Sequence, residues 1–210
     1  GVVSPVKSLN ALLGKEKAVR DIALGPRGEI VVASVLGAFY FDAGQWKGLH
    51  PDESRHMWLP RDVRAVAFDN AGRLWMAGPQ GVCQTGERFR LFTGQEGLPY
   101  DEFTAMASGP NGEIWFGTRV GAIRYDGKHW AYRQGLRWLP DDEVRDVIVL
   151  PDGSAWFATS KGIAVINHRP MTLAEKARFF EDEIDLRHKR TEFGYVLSVR
   201  VRKPGDKTEW

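Results

Sequence analysis

An all-β architecture of four-stranded antiparallel units is predicted by three observations. They are a gapless internal repeat of about 40 residues, a glycine-bearing turn at a constant place in each repeat, and a strand after that turn that is apolar at successive positions. The aligned segments are Gly25–Ser34, Asp69–Gly78, Gly109–Thr118 and Leu150–Thr159. Their turn glycines, Gly28, Gly72, Gly112 and Gly153, are separated by 44, 40 and 41 residues.

Each repeat begins with an alternating run, as in Val63–Phe68 and Phe103–Ala107, which suits a strand with one face more buried than the other. The turn that follows carries Gly at its second position. Asn111-Gly112 and Asp152-Gly153 have the composition of a type I′ hairpin, in which both central residues take positive φ. The second strand, Leu74–Ala77 or Ile114–Gly117, is apolar on both faces and is expected between two stacked sheets. A second turn ends at Gly37, Gly81, Gly121 and Gly162, and a third strand such as Ala122–Tyr125 comes next. The third turn is clearest at Asp126-Gly127 and leads to an outer strand, His129–Tyr132 or Arg88–Phe92. Four strands per repeat of this length is the pattern of a β-propeller blade. The repeats span 17–168, and 1–16 is expected to hold an N-terminal strand or the remnant of a preceding blade.

After the repeats the hydrophobic period changes. Thr172 and Glu175 make a capping-box pattern, and Leu173, Ala177, Phe180 and Ile184 recur at helical spacing, so 171–190 is predicted to be an amphipathic helix. Glu183 with Arg187 and Asp185 with Lys189 are favourable i,i+4 pairs. The basic run Arg187–Arg190 suits the negative end of the helix dipole better than a binding patch. Gly194 can stop the helix. Leu197–Arg202 then alternates like a strand, and 195–210 is expected to be a strand or connector to a further domain rather than a fifth blade.

Composition bounds the function classes. The chain has 210 residues, 43% hydrophobic and 27% charged, within the globular range. Its 29 basic and 27 acidic side chains are spread along the sequence, which supplies no electrostatic reason to expect nucleic acid or an anionic membrane. One cysteine, Cys83, excludes an internal disulfide framework and a multi-thiolate metal site. No apolar run reaches the length of a membrane span. The absence of an initiating Met and the ending just past an apparent strand are expected of a piece of a longer protein.

The third repeat resembles the two-component regulator propeller repeat. It joins Gly97-Leu98-Pro99, the strand Trp115-Phe116-Gly117-Thr118 and the turn Tyr125-Asp126-Gly127, the three elements of that family's signature. Repeats two and four keep the strand as Met76-Ala77-Gly78 and Phe157-Ala158-Thr159 but replace Asp-Gly with Gly86-Glu87 and Asn167-His168, and the first has Val31 in place of Trp. The resemblance implies a ring of about seven blades, of which four are visible, and ligand sensing outside the cytoplasm in a periplasmic or extracellular bacterial sensor, often of polysaccharides. The Pro-Asn-Gly-x-Ile-Trp-Phe core is also similar to that of the virginiamycin B lyase family, which usually lacks the other two elements and is the more distant resemblance.

Trp75, Trp115 and Trp156 share one repeat position inside the doubly apolar strand and are expected in the core, whereas Trp46, Trp130 and Trp138 fall on outer strands or loops. No histidine pair has metal-ligand spacing, and neither a nucleophile elbow nor a phosphate loop occurs, so no metal, cofactor or catalytic residue is assigned. A propeller binds ligands on the face carrying the loops into the innermost strand and the loops between the second and third strands. Here those loops contain Arg61, Asp62, Tyr100, Asp101, Arg119, Asp141 and Lys161. Arg61, Arg119 and Lys161 can pair with a carboxylate or sulfate, and Tyr100 can stack on a sugar ring. The expected role is recognition of a saccharide, another small ligand or a partner domain. The alternatives are the propeller portion of a carbohydrate-active lyase or hydrolase, with His129 or a loop Tyr working beside a carboxylate, and a scaffold that positions missing blades or a downstream domain.

Overall fold

The computed structural model describes residues 4–15, 18–49, 61–87, 89–99, 102–167 and 171–188. Among these residues fifteen strands form four antiparallel sheets, each wound in simple sequential order. Blade one contains β1 (Val19–Leu24), β2 (Ile30–Ser34), β3 (Gly37–Asp42) and β4 (Gln45–Gly48). Blade two contains β5 (Ala65–Phe68), β6 (Leu74–Gly78), β7 (Gly81–Gln84) and β8 (Arg90–Phe92). Blade three has β9 (Phe103–Ser108), β10 (Ile114–Thr118), β11 (Gly121–Tyr125) and β12 (Trp130–Arg133). Blade four has β13 (Val144–Val149), β14 (Ser154–Thr159) and β15 (Gly162–Asn167), with no fourth strand among the described residues.

The first strand of every blade is the innermost one, since β1, β5, β9 and β13 are the strands that meet from blade to blade. The cores lie between the sheets. Val31, Ala33 and Ala38 of blade one meet Val66, Leu74, Met76 and Cys83 of blade two. Trp75, Ala77 and Phe92 of blade two meet Phe103, Phe116 and Ile123 of blade three. Ala105, Trp115 and Ala122 of blade three meet Val144, Val147 and Phe157 of blade four. Burying both faces of β6 and β10 completely is what their uninterrupted apolar sequence requires.

The signature residues of the third repeat are consumed by this architecture. Gly117 leaves room for the next blade, because a Cβ there would stand 2.6 Å from Val144 Cγ1. Thr118 closes the β10–β11 turn: its Oγ1 donates to the Gly121 carbonyl at 2.8 Å and accepts the Val120 N–H at 3.1 Å, a geometry repeated by Ser34 and Thr159. Asp126 accepts the N–H groups of Lys128 and His129, which holds its carboxyl below the usual carboxylate range. Gly97, at φ +84°, ends a 3₁₀ turn over Gly94–Glu96 that is capped by Thr93, and Leu98 enters the core beside it.

Three expectations need correction. The hairpins between first and second strands are not type I′, because Asn111 and Asp152 keep negative φ. Each has a three-residue loop in which the glycine N–H bonds back three residues, Gly28 to Gly25, Gly72 to Asp69, Gly112 to Gly109 and Gly153 to Leu150. That is a type I turn followed by a G1 bulge; Pro26, Pro110 and Pro151 pre-set its first central residue, and only the glycine must be left-handed. Second, where a strand or blade remnant was expected in 1–16, the structure has helix α1 (Lys7–Leu13). Its Leu9 and Leu13 cover Val32, Phe39 and Trp46 on the outer side of blade one.

Third, Trp156 is not a core residue. Trp75 and Trp115 are 2% and 0% exposed, but Trp156, at the same repeat position, is 38% exposed because no described residue stacks on the far side of blade four. Ile148, Ile163 and Val165 are exposed on that same face, as are Ile22 and Leu24 on the outer side of β1. These residues lie on the outer faces of the last and first blades, and on blade one α1 covers only part of that face.

The second unit, Arg169–Trp210, contains helix α2 (Leu173–His188). Thr172 and Glu175 form the expected capping box: the Glu175 carboxylate accepts the Thr172 N–H at 2.7 Å and Thr172 Oγ1 accepts the Glu175 N–H at 3.2 Å. Neither this helix nor α1 is long and apolar enough to cross a membrane. The pairs proposed for Glu183 with Arg187 and Asp185 with Lys189, and the strand of 197–202, lie outside what the structure describes.

Candidate functional site

In each blade the turn between second and third strands and the loop into the innermost strand lie on one face, because the strands alternate direction and the inner strand leaves that face first. Backbone bonds tie the two loops together: Asp62 N to Val35 O at 2.9 Å, Arg119 N to Glu102 O at 3.2 Å and Ser160 N to Glu143 O at 3.0 Å. The first of these links blade two to blade one.

Asp62 and Asp141 are the sequence-predicted residues with the most partners among those described. At φ +50° Asp62 occupies the left-handed region that Asp tolerates better than most side chains. Its carboxylate is gripped by Arg20 of blade one at 3.2 Å and by Arg64 of its own blade at 3.1 Å. Asp141 pairs with Lys161 across blade four at 2.8 Å. Hydrogen bonding by Lys161, Ser160 and the Glu143 N–H holds the Asp141 carboxyl well below its ordinary value, while Asp141 raises the Lys161 ammonium. Arg61 and Arg119 are exposed on the same face. Tyr100 and Asp101 lie outside the described residues.

Arg20 and Arg64 were missed by sequence reasoning, although a signal was present. Val19-Arg20-Asp21, Val63-Arg64-Ala65 and Val144-Arg145-Asp146 are equivalent in the repeat, with Thr104 in the third. In β1, β9 and β13 a register shift falls at this position and leaves the extra residue unpaired in the ladder. Asp21, just past the shift, accepts the Val66 N–H of the next blade at 2.9 Å and its neighbour Ile22 N–H at 2.8 Å. Burial outweighs those bonds and, with the charge of Asp146 nearby, raises its carboxyl above the ordinary range. Thr104 makes a comparable link from blade three, donating to the Val144 carbonyl at 2.8 Å.

Below this rim the four innermost strands line a groove of about 350 Å³ walled by Ile22–Leu24, Val66–Phe68, Met106–Ser108 and Val147–Val149. A second cleft, about 380 Å³, opens on the loop face between Pro79-Gln80-Gly81 and Thr93, Gly94, Leu98 and Pro99. Both fall within the size range of small-ligand sites.

The remaining candidates divide. Trp46 packs under α1 and against Phe41, and Trp130 sits among Phe92, Phe116 and Tyr125, so both are structural. Trp138 lies in the loop before β13 under the guanidinium groups of Arg133 and Arg137. His129 stands exposed on the β11–β12 turn, 3.6 Å from Asp126, at the opposite end of the blade from the loop face. Cys83 is buried on β7, and burial pushes its thiol up to about 12. Among the described residues no three His, Cys, Asp or Glu side chains come together as a metal site.

No protein-family model matches the chain, and no curated protein matches it. Solved structures do. The chain superimposes with a TM-score of 0.59 and 24% identity on the extracellular domain of a protein described as a hybrid two-component system from Bacteroides thetaiotaomicron, covering 70% of this chain and 21% of that one. A second such domain from the same organism gives 0.58 at 15% identity, over 73% and 22%. A streptogramin B lyase gives 0.57 at 17% identity, over 73% and 52%. The chain therefore spans about a fifth of the two-component chains and half of the lyase. At these identities the likeness establishes the β-propeller fold, and these three neighbours are of the two kinds that the repeat resembles.

Proposed function

We propose that this chain is a ligand-recognition segment of an extracytoplasmic sensor propeller, and that it takes a saccharide on its loop face. The observation that carries this is the clamping of Asp62 on that face by Arg20 of blade one and Arg64 of blade two, two residues at equivalent positions of the repeat. Carboxylates and guanidinium forks held at fixed angles are what a polyhydroxylated ligand needs, since each can engage a pair of adjacent hydroxyls or a uronate carboxylate. The adjacent cleft at Leu98 and Pro99 offers an apolar wall for a sugar face. The extracellular neighbours support the location.

The test is calorimetric titration of neutral, uronic-acid and sulfated oligosaccharides. Binding is expected to weaken at least tenfold in Arg64→Gln with the circular dichroism spectrum unchanged. Absence of binding to every member of the panel, or affinities indifferent to Arg64, would overturn the proposal. A lyase is the weaker reading, because His129 and Asp126, the His–carboxylate pair among the described residues, stand on the outer turn and line neither cleft.

A further inference from the structure

One face of each blade looks toward the next, and strand pairing shows which residues of the repeat make it. In blade two Ala67 pairs with Trp75, and in blade three Ala107 pairs with Trp115. Both tryptophans are closed over by the following blade. In blade four the same row is Ile148, Trp156 and Val165, with Ile163 one pair further along. All four side chains stand exposed. A shallow cleft of about 160 Å³ lies on this face, lined by Asp146, Ile148, Trp156, Ala158 and Ile163 among others. An apolar row of this kind, left uncovered on one blade of a repeat that covers it elsewhere, is an interaction surface.

Asp146 identifies the kind of partner, because blade one holds its counterpart in use. Asp21 and Asp146 both follow the register shift in the innermost strand, where they pair with Ala33 and Ala158. In each, Oδ1 accepts the N–H of the following residue, Ile22 or Val147, at 2.8 Å. Asp21 Oδ2 also reaches across the seam to accept the Val66 N–H of β5 at 2.9 Å. Ala65 precedes Val66, so no side chain of β5 competes for that N–H from this position. Asp146 is exposed, and among the described residues no donor reaches its Oδ2. The same acceptor thus stands at the same place in two blades, engaged by the next inner strand in one and unengaged in the other.

We propose that the outer face of blade four is a docking surface for a further propeller blade of the same polypeptide, with Asp146 accepting a backbone N–H of that blade's innermost strand. Every seam among the described residues joins consecutive blades of one chain. Blade one of a second copy fits less well: Ile22, at the position of Val66, already gives its N–H to Asp21, and α1 lies on part of that face. Ile148 stands where the other blades have Ala23, Ala67 and Ala107, so the incoming face needs slender side chains opposite it. Blade two has such a face in Val66 and Cys83, whereas blade three has Met106 and Ile123 at those positions. This surface does not depend on the saccharide reading.

The test extends the 210-residue chain by one repeat, with a second copy of 43–86 inserted after Asn167. That segment carries β4, to serve as an outer strand for blade four, and β5, β6 and β7, to stack on its face. Trp156 is read by acrylamide quenching, as the difference against Trp156→Phe, alongside melting temperature and sedimentation. In the extended chain Trp156 quenching is expected to fall at least threefold and the melting temperature to rise. Asp146→Ala is expected to lower the melting temperature about 4 °C further in the extended chain than in the parent, through the lost bond across the seam. Asp146→Asn, which keeps an acceptor oxygen, is expected to lose less. The proposal is overturned if the extended chain leaves Trp156 as open to quenching as before or melts no higher, or if Asp146→Ala affects both chains alike. A parent chain that sediments as a dimer with Trp156 protected also overturns it, because the face would then belong to a second copy.

Discussion

Trp115 and Trp156 occupy one repeat position with opposite surroundings, so truncating each to alanine separates what the strand does from what the next blade does. Trp115 is fully buried, its ring 5.4 Å from Phe157 in edge-to-face contact. Removing a fully enclosed indole leaves a cavity between two sheets and costs about 3–5 kcal/mol. Among the described residues its Nε1 has no acceptor, so truncation gives up no hydrogen bond and relieves the burial of an unpaired donor, which places the cost toward the lower end of that range. Trp156 keeps 38% of its surface in water, and its vacated space opens to solvent. Only transfer of the covered part counts there, about 1–2 kcal/mol, together with a weak 3.2 Å bond from Nε1 to Ser154 Oγ. For a protein of this size the two changes correspond to melting-temperature drops of about 6–20 °C and about 2–8 °C. Guanidinium titration followed by far-ultraviolet circular dichroism, with the slopes compared to confirm one transition, measures both. Losses equal within about 0.5 kcal/mol would refute the claim that the seam, rather than the strand, sets the cost.

Other consequences can be measured on the same material. Asp21→Asn is expected to stabilise the protein at neutral pH. The raised Asp21 pKa means the folded state holds its proton more tightly than the unfolded one, so the wild type loses stability as pH rises through the folded value. The advantage of Asn should therefore fade as pH falls toward the ordinary aspartate value, and an advantage that is independent of pH would contradict the burial argument. Gly121→Ala, at φ +136° with the Arg133 carbonyl against the new methyl group, is expected to cost more than about 1 kcal/mol, whereas Gly127→Ala, with nothing near its methyl, should cost less by chemical denaturation. Carbon-detected titration should find Asp141 ionising below the usual aspartate range and returning toward it in Lys161→Gln. Because the Lys161 end of the pair stands largely in solvent, the melting temperature should barely move.

The fold was legible in the sequence because its causes are local and repeated. Hairpin glycines recur where a left-handed residue is needed, and strands apolar on both faces occur where two sheets must enclose one. The capping box at Thr172 is likewise a matter of four neighbouring residues. The hairpin type too is a local matter: the prolines at 26, 110 and 151 favour a type I turn, and this outweighs the type I′ preference of the Asn-Gly and Asp-Gly pairs.

The site was less legible, because a binding surface is made by residues that meet across blades. Asp62 could be placed on the loop face from its position in the repeat, but its grip by Arg20 spans two blades and a bulge. Bulges leave little mark on periodicity. Composition could not reveal that Trp130 is enclosed while Trp138 carries two arginines, since both read as aromatic residues outside the central strands.

By itself the sequence determined the blade: its strand order, its turns and the faces that must be apolar, all consequences of backbone conformation and side-chain period within 40-odd residues. Only the tertiary structure decided which copies of a repeated residue are covered. The same tryptophan is core in blade three and surface in blade four, since burial belongs to the neighbour that stacks on a sheet and not to the sheet's own residues.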